Sequence, residues 1–215
     1  SVPEWSRFLA HPIVLAGSTH ESEEELMITV FEGLRKEFPD MNLVVAPRHP
    51  ERFGRVEGIL KAKGVNYLKR SAFQTVTAEP EKLRGRVVLL DTIGELASAY
   101  GMSDIAVIGG SFVDRGGHNP LEPAFWGKPI LCGPHMENFP FVQEFYCSGA
   151  ARKTDAQGLY DLLRELIRSP EKRSIMGKSA QKEYADKAGA VARSVEILES
   201  YIKKHLVFTE EQSLP

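Results

Sequence analysis

DIAVIGGSFVDRGGHNPLEPAFWGKPILCGPH, running from Asp104 to His135, is the stretch whose reading decides the fold. Ile105 to Ile108 is a short apolar run rich in β-branched residues, stopped at once by Gly109 and Gly110. That is the pattern of a parallel strand covered on both faces. Ser111, Arg115, Gly116, Gly117 and His118 follow, a loop with room for a ligand and groups to bind one. Asn119 fits a helix N-cap, Pro120 the first helical position and Glu122 the third, so Asn119 to Glu122 reads as a capping box. A helix start preceded by glycines presents free N–H groups and a positive dipole end, which suits phosphate. Gly127 and Pro129 stop the helix, and Ile130 to Cys132 is the next strand. A capping box before a strand is common in α/β domains. Two glycine pairs, an arginine and a histidine in one loop at a strand's carboxyl end are not something a packed core requires.

Working outward, Pro12 to Ala16 is a first strand that opens into Gly17-Ser18-Thr19-His20. Ser18 or Thr19 is placed to cap the next helix, with Glu21, Glu23, Glu24 and Glu25 complementing its positive end. Asn42 to Ala46 and Arg86 to Leu90 are further strands, with Asn66 to Leu68 and Ala150-Ala151 as short ones. Leu26, Val30 and Leu34 form one buried helical stripe, and Leu159, Leu162, Leu163, Leu166 and Ile167 another. Thr92 to Glu95 reads as a second capping box, Ser71 to Leu83 as loop, and Phe139 to Cys147 as helical. After Ser169-Pro170 the pattern predicts a polar helix over Glu171 to Lys187, then a last helix carrying Val191, Val195, Leu198 and Ile202. Strands alternating with helices imply a parallel sheet of about six strands. The expected fold is α/β: one Rossmann-like, doubly wound domain over residues 1–205 with a helical C-terminal annex, then a disordered tail over 206–215.

With 215 residues, 42% of them hydrophobic, the chain can bury a real core. A formal charge of −2 without a basic face argues against nucleic acid as a partner. Two cysteines, Cys132 and Cys147, suggest neither a disulfide framework nor a zinc site, and point to a reducing cytoplasm. No apolar run approaches the roughly 18 residues of a membrane span, so the chain is expected to be soluble. It opens Ser-Val-Pro-Glu-Trp without an initiator methionine, as a piece of a longer protein does.

Four strand ends carry unusual residues: Gly17 to His20, Pro47-Arg48-His49-Pro50, Asp91 to Glu95, and Gly109 to Glu122. In a doubly wound sheet all four lie on one edge. The first loop has no GxGxxG pattern, and Arg48 stands where a dinucleotide site has an acidic residue. Arg48, Arg115 and the helix starts favour a single nucleotide with few phosphates instead. His118, Glu122 and His135 match no usual metal-ligand spacing, and Ser111 lacks the GxSxG elbow of a serine nucleophile. His20 and His49 read equally well as plain polar loop residues.

The run GGSFVDRGGHNPLEPAFWGKPILCGPHMENF, together with AGSTHESEEE from Ala16, APRHPERF from Ala46 and DTIGEL from Asp91, resembles the Kdo (3-deoxy-D-manno-octulosonic acid) transferases of lipopolysaccharide synthesis. The motifs occur in family order across most of Ala16 to Phe139. The resemblance implies the C-terminal half of a two-domain GT-B glycosyltransferase, the half that binds CMP-Kdo. The full enzyme transfers Kdo to a lipid A precursor with inversion, at the cytoplasmic face of the bacterial inner membrane. Carried over, the CMP contacts fall on Pro47 and Arg48, on Ile93, Gly94 and Glu95, and on Asn119, Pro120, Leu121 and Glu122. Ser18, Thr19, Ser111 and Arg115 are further candidate donor contacts. Arg48 suits the phosphate, and Glu122 can accept from ribose hydroxyls. The resemblance implies no metal and no cofactor besides the donor substrate. It implies no catalytic residue in this chain either: the family's general base is a glutamate of the N-terminal domain, which also holds the acceptor and membrane sites. A lysine that the family places shortly before the AGST loop would precede Ser1. The alternatives are another GT-B enzyme using a UDP-sugar, transferase or epimerase, and a non-catalytic nucleotide-sugar binding module.

Overall fold

The computed structural model describes residues 1–73 and 83–210, with side chains of residues 190–197 and 203–210 left aside. Seven strands among the described residues form one parallel sheet: β1 (Ile13–Thr19), β2 (Asn42–Pro47), β3 (Tyr67–Lys69), β4 (Val87–Leu89), β5 (Ile105–Ile108), β6 (Ile130–Cys132) and β7 (Ala151–Lys153). Their order is β3-β4-β2-β1-β5-β6-β7. The sheet has seven strands rather than about six because both short segments pair, β3 on β4 and β7 on β6. Strand order reverses at β1, which pairs with β2 on one side and β5 on the other. Ligands of open α/β sheets bind outside the carboxyl ends of the strands at such a reversal.

Both faces of the sheet are buried, as the unbroken apolar strands require. Val14, Ala16, Leu43, Val45, Ile105 and Val107 point to one side, where they meet α1 (Glu23–Leu34), α2 (Phe53–Ala62) and α6 (Leu159–Arg168). Ile13, Leu15, Val44, Ala46 and Ala106 alternate to the other side. There they pack with Trp5, Tyr100 and Met102, around the short α3 (Leu96–Ala99). At the β6 end, Ala124 of α4 (Leu121–Phe125), Phe145 of α5 (Val142–Cys147) and Ala180 of α7 (Pro170–Glu210) cover Ile130 and Cys132.

The annex differs from expectation. α7 is one continuous helix rather than two, as a chain with no proline between Glu171 and Glu210 permits. Gly177 is needed in it, because a Cβ there would sit 2.1 Å from the carbonyl oxygen of Gly127. The expected tail from 206 continues this helix to Glu210, and 211–215 lie outside the described residues. Of the expected loop Ser71 to Leu83, the start lies in a 3-10 turn (Arg70–Ala72), and 74–82 lie outside the described residues. The helix expected over Phe139 to Cys147 begins at Val142. Among the described residues no helix is long and apolar enough to cross a membrane.

Candidate functional site

The site is built where β1 and β5 end side by side. Gly109 donates its N–H to Gly17 O at 2.8 Å, and a Cβ at 109 would lie 2.2 Å from Ser18 O, so only glycine lets the two loops close this far. Glu23, at the start of α1 and 2% exposed, then ties them together. Its Oε2 accepts from the N–H of His20 at 2.8 Å and of Gly110 at 2.7 Å, and its Oε1 from the N–H of Phe112 at 2.9 Å. Burial raises the Glu23 carboxyl above its ordinary range, against the pull of the three N–H groups. Two N–H groups of the glycine-rich loop are thus taken by a carboxylate and are not free for a ligand.

Beside this knot opens a cavity of about 390 Å³ whose walls include Ser18, Arg48, Gly94, His118, Asn119 and Glu122. Five of these were candidate contacts, drawn from all four strand-end loops. Arg48 is exposed at the end of β2, and among the described residues its guanidinium has no hydrogen bond or ion pair. Burial raises the Glu122 carboxyl, opposed by the charge of Arg48. Gly94, at φ +84°, turns the backbone at the cavity edge.

The remaining candidates are placed otherwise. Pro47 is buried at the end of β2, and Ile93 projects into solvent. Glu95 does not cap its helix: its Oε2 accepts from Trp5 Nε1 at 3.1 Å and Arg70 Nε at 2.8 Å, which turns the side chain out of the cavity. Thr92, the other half of that box, has a buried hydroxyl without a partner among the described residues. In the box from Asn119 to Glu122 only half is present, since Asn119 Oδ1 accepts from Leu121 N–H at 3.0 Å while the Glu122 carboxylate stays in the cavity wall. Pro120 is buried, and Leu121 lines a neighbouring apolar groove with Phe125 and Trp126. Ser18 and Thr19 do not cap α1, which begins at Glu23. Thr19 is buried, with Oγ1 on Glu24. Ser111 is also buried, donating to Ile108 O at 2.5 Å and accepting from Gly133 N–H at 2.7 Å. It braces β5 against the end of β6 and does not face the cavity. Arg115 is exposed and lines a second cavity of about 650 Å³.

Three features escaped sequence reasoning. One is the grip of Glu23. Another is the pair formed by Glu24, fully buried, and Arg52, with Nε on Oε1 at 2.9 Å and Nη2 on Oε2 at 3.0 Å. The third is the contact of His20 with His118, Nε2 to Nε2 at 2.8 Å. Their partners stand 87, 28 and 98 residues apart, and no local pattern signals such pairings.

No family model matches the chain. It is 35% identical over 91% of its length to a 3-deoxy-D-manno-octulosonic acid transferase of Haemophilus influenzae, covering 45% of that protein. It is 34% identical over 92% of its length to the transferase of the same name from Bordetella pertussis, covering 46% of it. The chain thus spans about half the length of the curated relatives it matches. Among solved structures, it is similar to the C-terminal CMP-Kdo binding domain of WaaA from Acinetobacter baumannii, with a TM-score of 0.71 and 31% identity. That match covers 79% of this chain and 87% of the domain. The C-terminal domain of a group 1 glycosyl transferase from Francisella tularensis shares the fold, with a TM-score of 0.58 at 14% identity.

Proposed function

This chain belongs to the Kdo transferase family, and from that premise we propose that it is the donor-binding part of such an enzyme, with CMP-Kdo held across the cavity at the β1–β5 reversal. The observation that carries the reading is the meeting of Ser18, Arg48, Gly94, Asn119 and Glu122 in one cavity, from four separate loops. Arg48, unpaired among the described residues, supplies the charge for the donor's single phosphate. Glu122 accepts from the ribose hydroxyls, and the backbone at Gly94 is open to approach from the base. Glu95 acts on the same loop indirectly, through its bonds to Trp5 and Arg70. The curated relatives favour this donor over a UDP-sugar.

In the whole enzyme the acceptor is a lipid A precursor at the inner membrane, and transfer inverts the anomeric carbon. A general base must lie within hydrogen-bond reach of the acceptor hydroxyl. Glu95 is bound to Trp5 and Arg70, Glu23 to three N–H groups, and Glu122 serves the donor, and the family resemblance implies a base in the N-terminal half of the whole protein.

Two substitutions test the site. Arg48→Ala is expected to weaken CMP binding by about 1.5–3 kcal/mol, the worth of a hydrogen bond to a charged group, with melting unchanged because the side chain is exposed. Calorimetric titration checks it, and undiminished CMP affinity contradicts the role. Glu122→Gln keeps the shape of the cavity wall but accepts fewer ribose hydrogen bonds. It is expected to cost roughly 1 kcal/mol of CMP affinity and nothing in deoxy-CMP affinity if the lost partner is the 2′ hydroxyl. An equal loss for both nucleotides would instead place the carboxylate at the 3′ hydroxyl.

A further inference from the structure

The two polar cavities meet at His20 and His118. His118 lines the one that holds Arg48 and Glu122, and His20 lines the other with His49, Arg52, Arg55 and Arg115. The ring planes are parallel within 4°, the centroids are 5.1 Å apart and the Nε2 atoms 2.8 Å apart. At that spacing the rings share one edge-to-edge hydrogen bond and are not stacked face to face. One Nε2 therefore donates and the other accepts. Each Nδ1 lies on the far side of its ring, and among the described residues neither has a protein hydrogen-bond partner.

The tautomers follow from this geometry. In the neutral pair the accepting ring carries its hydrogen on Nδ1, and the donating ring leaves its Nδ1 bare. One ring therefore offers an N–H donor and the other a lone pair. One added proton goes to the bare Nδ1 and leaves the central bond intact. Both rings then offer an N–H donor, and the pair is cationic. We propose that the His20–His118 pair reads a donor with two anionic groups, the nucleotide phosphate in one cavity and the carboxylate of an acidic sugar in the other, by taking up a proton as both are filled.

The proposal rests on the reading of the cleft as a CMP-Kdo site. The surroundings suit an anion. His20 faces His49, Arg115, Arg52 and Arg48, and His118 faces His20, Arg48 and His49. Burial, reinforced by the neighbouring arginines, holds His20 below the ordinary imidazole range and pushes His118 down to about 4, so the free pair is neutral at pH 7. The carboxylates nearby are Glu23, bound to the His20 backbone; Glu21, Glu51 and Asp114 in the wall of the second cavity; and Glu122 in the first. Arg52 is engaged by Glu24 and Glu21, whereas Arg55 and Arg115 have no ion pair among the described residues. An incoming phosphate and carboxylate reverse the sign of the local field and raise the pair's pKa. Binding therefore takes up a proton and strengthens as pH falls, until the free pair itself is protonated. A UDP-linked neutral sugar leaves the second cavity without an anion.

The test is calorimetric titration of this chain at pH 7 with CMP and with CMP-Kdo, each in two buffers of different ionisation enthalpy. CMP-Kdo is expected to draw in about one proton per site and CMP clearly less, and CMP-Kdo affinity should rise up to about tenfold per unit fall in pH between 8 and 6. In His20→Gln and His118→Gln the uptake and its pH dependence should vanish, with residual CMP binding through Arg48, weaker in His118→Gln, showing that the cleft is still formed. Equal uptake with both ligands, no uptake, or uptake that persists in both variants overturns the proposal and leaves the nucleotide site standing. Absence of CMP binding to the unaltered chain overturns the reading of the cleft itself.

Discussion

Arg52→Ala is expected to lower the stability of the domain by about 3–5 kcal/mol, because it strands a buried carboxylate. Glu24 is fully buried in α1, and both of its oxygens are met by the Arg52 guanidinium. The Thr19 hydroxyl, at 3.4 Å, is the other contact of that carboxylate and cannot replace a cation. Exposed ion pairs of this domain, such as Lys61 with Glu57, are worth at most a fraction of that amount. If the cost comes from the stranded charge, the double substitution Arg52→Met with Glu24→Leu should recover most of it, since apolar groups of similar volume replace buried pairs without loss. Urea unfolding of the three chains checks both statements. A loss below about 1 kcal/mol for Arg52→Ala, or a double variant no better than the single one, contradicts them.

Glu23→Ala should cost a similar amount by a different route. Three backbone N–H groups, of His20, Gly110 and Phe112, lose their acceptor together. Each buried donor left unpaired costs about 1–3 kcal/mol, and the loops relax enough to recover part, so we expect a loss of about 3–5 kcal/mol. Nucleotide binding should fall with it, because the same carboxylate sets the spacing of the β1 and β5 loops. Glu23→Gln should lie between, since its carbonyl oxygen can accept from two donors while its amide N–H₂ confronts the third. Denaturation paired with CMP titration reads both effects. Unchanged stability in Glu23→Ala would mean that the loops hold their shape without the carboxylate.

The sheet was legible because its five central strands are buried almost throughout. Ile105 to Ile108 and the run from Pro12 announce themselves by unbroken apolar residues, and Gly109 by the abrupt stop. The candidate site was legible as a set of loops, since strand ends on one sheet edge must come together. The roles of single polar residues were less so. Glu23 and Glu24 look, in sequence, like two more acids complementing a helix start beside Glu21 and Glu25, yet they are buried while Glu21 is exposed. Glu95 and Glu122 sit at capping-box spacing, but tertiary partners or the cavity outbid the local bond. Ser111, in a loop that reads as ligand-binding, is taken up in bracing two strands. The His20–His118 bond joins residues 98 positions apart and leaves no periodic trace. Spacing reports which backbone segment comes near the ligand; which side chains face it is decided by packing.

The most direct measurement of the central claim is a calorimetric titration of the chain with CMP, UDP, ATP and NAD under one set of conditions. Among the described residues the cavity offers one unpaired arginine and one carboxylate, which suits a nucleoside monophosphate better than a longer phosphate chain or a dinucleotide. Saturable binding of CMP is expected, with affinity above that for the other three and weakened by Arg48→Ala. A clear preference for UDP, or CMP binding that survives Arg48→Ala unchanged, would contradict it.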